Sequence, residues 1–184
     1  MRAALALSGI LLAGQMAWGQ SAAPAAQSAK GTLRSLVGEA IQDYARVDKN
    51  ILAAAAAMPA ANYTFKPTPE IRSFGELFTH VIEAQTMVCS TLAGAPQRAG
   101  TVNAANKEEV EAALKTSSDL CDRANATVTE ANALDIVGHG YFGGPKVELI
   151  EKNAAHDNEM YGTMAVYLRL KWIVPPSSRP RGGK

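Results

Sequence analysis

The chain has 184 residues, with 18 basic and 17 acidic side chains and a formal net charge of +1. A near-neutral chain with no basic stripe or aromatic ladder lacks the electrostatic footprint of a nucleic-acid partner. Its length, less the N-terminal segments described next, suits one domain with one core.

Arg2 is followed by a short apolar run from Ala3 to Ala13, and Ala17-Trp18-Gly19 then offers small residues where a signal peptidase reads. Residues 1–19 therefore read as a secretory signal peptide, too short for a membrane anchor. A cut a few residues later is the alternative. No other apolar run is long enough to span a bilayer, so the mature protein is expected to be exported without a membrane anchor, to a bacterial periplasm. Residues 20–31, rich in Ala, Ser, Gln and Pro without apolar periodicity, read as a flexible leader. Loss of Arg2 with the signal leaves equal numbers of acidic and basic groups.

Four segments carry helical periodicity. The first runs from about Thr32 to Met58, with Leu33, Val37, Ile41, Tyr44, Ile51 and Ala55 at three- and four-residue steps, and Pro59 ends it. The second starts at Ser73, where Ser73-Phe74-Gly75-Glu76 has the capping-box pattern. Phe74, Leu77, Phe78, Val81, Val88 and Leu92 form its stripe, and Gly94 and Pro96 stop it. The third starts near Asn106 with Glu109 in the box position, and Val110, Leu114, Ser117, Cys121, Ala124 and Val128 step along one face.

A glycine-rich surface loop is expected from about Asn132 to Pro145. It is no phosphate loop, because neither a preceding strand nor a GKS or GKT ending is present. The fourth helix is expected from Lys146 to Trp172, ahead of Val174-Pro175-Pro176. With no sustained strand alternation, the fold class is all-α, a four-helix bundle over residues 32–178 with a disordered tail over 179–184. The two Asn-x-Thr triplets, at Asn62 and Asn125, carry no function in this reading.

Cys89 and Cys121 are the two cysteines. An even count in an exported chain favours one disulfide, over two buried free thiols or a cycling pair. Cys121 faces the core and Cys89 lies on the shoulder of the second stripe, which makes a bridge between those helices sterically reasonable.

The histidines are His80, His139 and His156. His80 and His156 lie mid-helix, where a bundle can bring side chains together across its interior. On the pattern alone each reads first as a hydrogen-bonded, half-buried histidine. His139 reads as a loop surface residue. His156 and Met160 are one turn apart on one helix face, the spacing at which two side chains grip one ion. Met160 reads first as a core filler, since thioethers prefer soft ions such as Cu(I). Glu159 does not stand where the general base of H-E-x-x-H stands. Asp157 and Glu159 read by default as carboxylates on a solvated face. Tyr161 and Arg169 read as supports for packing or a helix end.

The chain resembles the DinB family of DinB/YfiT-like metalloenzymes. The resemblance rests on Ser73-Phe74-Gly75-Glu76-Leu77-Phe78-Thr79-His80, on His156-Asp157-Asn158-Glu159 with Tyr161-Gly162, and on Tyr167-Leu168-Arg169-Leu170-Lys171 with Val174-Pro175-Pro176-Ser177-Ser178. It implies a four-helix bundle with a three-histidine metal site. His80 and His156 match two ligands, and the third position is Met160. Thr163 and Trp172 are lesser departures, standing where an amide residue and a glycine are common.

The resemblance implies a divalent-metal-dependent enzyme, thiol-transferase or hydrolase-like, with an incomplete histidine site. Zinc or nickel would suit it, or copper if Met160 ligates. The alternative is a non-catalytic periplasmic bundle that has lost the metal and binds a small ligand or partner. A small-molecule substrate is the expected partner in the first case. A homodimer is allowed, since such bundles pair through helix faces, but no decisive exposed stripe marks one. No catalytic residue is assigned.

Overall fold

The computed structural model of the chain describes residues 35–180. The segments read as signal peptide and leader lie outside the described residues, as do the start of the expected first helix and residues 181–184. Four helices carry the fold: α1 (Leu36–Ala57), α2 (Phe74–Leu92), α3 (Lys107–Asn125) and α4 (Lys146–Leu170). The expected all-α four-helix bundle is the architecture found. α1 packs chiefly on α4 and α2 on α3, and α2 also meets α4.

The helix starts follow from local hydrogen bonding. Ser35 Oγ accepts from the Gly38 N–H at 2.9 Å. At α2 the reciprocal box forms, Glu76 N–H donating to Ser73 Oγ at 3.2 Å and Ser73 N–H to Glu76 Oε2 at 2.6 Å. Gly75, in the same first turn, allows a close approach: a Cβ there would sit 1.8 Å from the Ala104 carbonyl oxygen. At α3 only half of the box forms. Asn106 Oδ1 accepts from the Glu109 N–H at 3.2 Å, but the Glu109 carboxylate takes the Asn103 N–H, at 2.9 Å. A turn closed by Asn106 N–H on the Asn103 carbonyl brings that earlier N–H within reach.

Two helix ends differ from expectation. α3 stops at Asn125, and Val128 is buried from the turn that follows rather than from the helix. α4 stops at Leu170, two residues short of Trp172. There Trp172 adopts φ 59° and lies 96% exposed. Trp172 N–H donates to the Arg169 carbonyl and Ile173 N–H to the Leu168 carbonyl, each at 2.9 Å. This is the Schellman pattern, with Trp172 at the left-handed position that glycine ordinarily fills. Ile173 then packs on the core, and Tyr161 and Ser177 exchange hydrogen bonds of 2.8 Å that hold the following segment on α4.

The glycine-rich loop contains structure that was not expected. β1 (Ile136–Val137) and β2 (Gly144–Pro145) pair antiparallel, with a 3₁₀ turn at Gly140–Phe142 between them. Strands of two residues are too short to show alternation in a sequence.

The core forms two apolar clusters stacked along the bundle. One gathers Ile51, Met58, Phe74, Phe78, Leu114, Met164 and Leu168. The other gathers Tyr44, Val88, Leu92, Leu149 and Ile150 around Cys89 and Cys121. Those cysteines form a disulfide joining α2 to α3 across 32 residues of sequence.

Two outcomes follow for stability. Trp172→Gly relieves a left-handed penalty of roughly 1–2 kcal/mol, less the extra freedom that glycine gives the unfolded chain, about 0.4–1 kcal/mol. A net rise in Tm of about 1–4 °C is expected by calorimetry; a lower Tm would show that the exposed indole has a structural partner. Cys89→Ser/Cys121→Ser should cost about 4 kcal/mol by the loop-closure account, read as a lower urea midpoint with a somewhat steeper slope, since the uncrosslinked chain unfolds to a more expanded state.

Candidate functional site

Between the two apolar clusters lies a polar layer to which every helix contributes. Asp48 comes from α1, Gln85 from α2, Ser117 and Ser118 from α3, and Asp157 from α4, and all five are buried. Gln85 is the centre. Its Nε2 donates to Asp157 Oδ2 at 2.8 Å and to Asp48 Oδ1 at 3.2 Å, and its Oε1 accepts from Ser117 Oγ at 2.7 Å. Ser118 Oγ donates to Asp48 Oδ2 at 2.6 Å, and the Tyr44 hydroxyl donates to Asp48 Oδ1 at 3.4 Å. Burial pushes both carboxyls above the usual carboxylate range. Hydrogen bonds from Ser118 and Gln85 partly offset this at Asp48, as those from His156 and Gln85 do at Asp157.

The layer reaches the surface through His156. Its Nδ1 lies 3.3 Å from Asp157 Oδ1, and its Nε2 lies 3.2 Å from His80 Nε2 across the α2–α4 interface. Asp157, as acceptor, makes His156 Nδ1 the protonated nitrogen. The Nε2 lone pair of His156 then faces His80. Two imidazole lone pairs cannot face each other at 3.2 Å unaided: either a proton or a cation stands between them. His80 is half-buried, and burial, followed by the positive charges of Arg72 and His156, holds its pKa below the usual histidine value. Glu83 and Glu159 act in the opposite direction.

A cleft of ≈ 400 Å³ opens beside this pair, lined on α2 by His80, Glu83 and Met87 and on α4 by Leu149, Asn153 and His156. That volume lies in the range of small-molecule sites. The disulfide underlies it, with Asn153 Nδ2 at 3.5 and 3.6 Å from the two Sγ atoms.

The structure thus brings His80 and His156 together. It places Met160 elsewhere, 8% exposed within the apolar cluster of Phe74 and Phe78, and not on the cleft. His139 is exposed on the loop and Glu159 is exposed on α4. Asp157 corrects the expectation of a solvated carboxylate, for it is 0% exposed. An ion at the pair would meet two suitable donors: 3.2 Å is within the span of two nitrogens each about 2.0–2.1 Å from one zinc. Among the described residues no group of three His, Cys, Asp or Glu side chains could complete the set.

The buried layer itself was missed. Its signal is a polar residue at the core step of each stripe: Asp48 between Tyr44 and Ile51, Gln85 between Val81 and Val88, Asp157 between Ala154 and Met160.

A family model described as the DinB superfamily matches residues 43–158, ending two residues before Met160. Among solved structures, the chain is similar to a DinB-like protein from Bacillus cereus ATCC 10987, with a TM-score of 0.63 and 13% sequence identity. That similarity covers 74% of this chain and 93% of the other. No curated protein matches the sequence.

The buried acid on α1 makes a pH prediction. A carboxyl whose folded pKa is raised holds its proton more tightly folded than unfolded. Its contribution favours the folded state in acid, and stability falls as pH rises from the unfolded value, about 3.9, through the raised folded one. Asp48→Asn keeps the shape and removes the titration. Urea midpoints from about pH 4 to pH 7 should therefore decline less in the variant; parallel curves would exclude Asp48 as a source of the slope.

Proposed function

The chain belongs to the DinB superfamily, and from that premise we propose that it is an exported, metal-assisted enzyme whose α2–α4 cleft takes a small molecule. His80 and His156 would hold a divalent ion, zinc or nickel, and the remaining positions fall to solvent or substrate. The reading is carried by one observation, the approach of the two Nε2 atoms to 3.2 Å with His156 oriented from behind by Asp157. Such an ion supplies Lewis acidity and lowers the pKa of a bound water or thiol, which suits hydrolase-like or thiol-transfer chemistry. The protein's own part is to fix the imidazoles, hold the Nδ1 proton of His156 against Asp157, and limit water around the pair. Export is supported by the signal-like residues 1–19 and by the disulfide, which suits an oxidising compartment.

A second reading has its own support. Met160 is packed with aromatic and aliphatic side chains, so the chain is also readable as a non-catalytic bundle that has lost the metal and keeps the cleft for a ligand. A catalytic zinc ordinarily has three protein ligands, and two bind more weakly.

Metal binding separates the two. Untagged mature protein, reconstituted with zinc or nickel, should bind about one ion, and His80→Ala should abolish binding. Met160→Leu should leave affinity unchanged. Met160→His should raise it by about 100-fold, if that side chain can turn to the cleft. Sub-stoichiometric metal in the reconstituted wild type, measured by elemental analysis, would sink the metal-assisted reading and leave the ligand-binding one. Copper bound through Met160 would instead be lost in Met160→Leu.

A further inference from the structure

The cleft has two unlike ends. It runs along α2 from His80 to Val88 and along α4 from His156 back to Leu149. At about 1.5 Å per helical residue it is roughly 10–12 Å long. One end presents the imidazoles. The other presents Met87, Val88, Leu149 and Phe142. Tyr141, 76% exposed, stands at this apolar end with its ring edge-on to Phe142 at 5.1 Å between centroids. Among the described residues it belongs to neither apolar cluster.

The charges around the cleft are also uneven. Glu83 is the one carboxylate among the lining residues, and it lies one turn from His80, on which its charge acts. Lys152 is engaged by Glu148 at 2.7 Å and by the Gly143 carbonyl at 3.4 Å, which ties the aromatic loop to α4. Arg98, from the α2–α3 connection, makes no ion pair or hydrogen bond among the described residues. Asn153 is 2% exposed, and its Oδ1 is a buried acceptor with no partner.

We propose that this cleft binds a small amphipathic organic anion, with an aryl or branched-alkyl part against Phe142, Leu149 and Val88 and a carboxylate at Arg98. The inference deepens the reading above and rests on it only in taking this cleft as the binding site; it does not require the ion. Apolar contact supplies the affinity at one end, and a free guanidinium selects charge. An amine of the same shape would meet the unpaired Arg98 as a like charge, since the lining carboxylate, Glu83, lies one turn from His80 at the imidazole end.

Calorimetric titration of mature protein treated with EDTA tests it, with phenylbutyrate, phenylbutylamine and acetate as ligands. Phenylbutyrate should bind, with the amine and acetate each at least about tenfold weaker. Arg98→Glu should weaken phenylbutyrate by about tenfold or more, while Arg46→Glu, on an exposed face of α1, should not. Arg98 is exposed, so the variant's Tm should match the wild type. Equal binding of acid and amine, an unchanged Arg98→Glu, or no heat with any ligand overturns the proposal. Zinc titration of the same preparation is read separately. Metal binding without anion binding refutes this inference alone; anion binding without metal refutes the metal-assisted reading alone.

Discussion

The hydrogen bonds of one buried amide organise this bundle. Gln85 Nε2 reaches Asp157 on α4 and Asp48 on α1, while its Oε1 takes the Ser117 hydroxyl from α3. Four helices are thereby held at one level, and a slip of any of them by one turn would bury a carboxyl or an amide without a partner. Apolar side chains tolerate such slips, because one leucine resembles another. A buried polar layer does not tolerate them, because each unsatisfied group costs about 1–3 kcal/mol. Replacing such a network by apolar groups often stabilises a protein, so its presence argues for register and positioning more than for stability.

What the layer positions is His156. The residue next to it in sequence, Asp157, is locked from the far side by Gln85, and the Asp157 carboxylate in turn fixes which ring nitrogen of His156 carries the proton. The imidazole facing His80 is therefore set from inside the core, not by the surface around the cleft. The disulfide ties α2 to α3, and Asn153 of α4, midway along the cleft, lies with its Nδ2 3.5 and 3.6 Å from the two Sγ atoms. The α2–α4 interface thus has a second polar contact beneath the cleft.

The fold was legible because its signals are local and repeated. Periods of three and four residues, the Ser73–Glu76 box and Pro59 each state a helix or its end, and the four helices follow. The finer errors arose where tertiary contacts override local pattern. Trp172 ends α4 early because Ile173 is drawn back onto the core, and Glu109 leaves its own cap for the Asn103 N–H. The site was half legible. His80 and His156 are conspicuous as rare residues in mid-helix, but Asp48 and Gln85 look like ordinary breaks in an apolar stripe. Only their coincidence at one level, across segments 37 and 72 residues apart in the Gln85 bonds, gives them meaning. One-dimensional periodicity carries no information about that level.

Met160 now has a physical position as well as a letter. Its thioether lies in the apolar cluster below the polar layer, one turn beyond Asp157. A histidine there would stand within that apolar cluster, and an imidazole buried without a partner would destabilise the core. Methionine carries no such cost. The orientation of His156 does not depend on the side chain at position 160, because Asp157 and Gln85 act from the other side. The two imidazoles, 3.2 Å apart at their Nε2 atoms, stand at one end of a cleft whose other end is apolar.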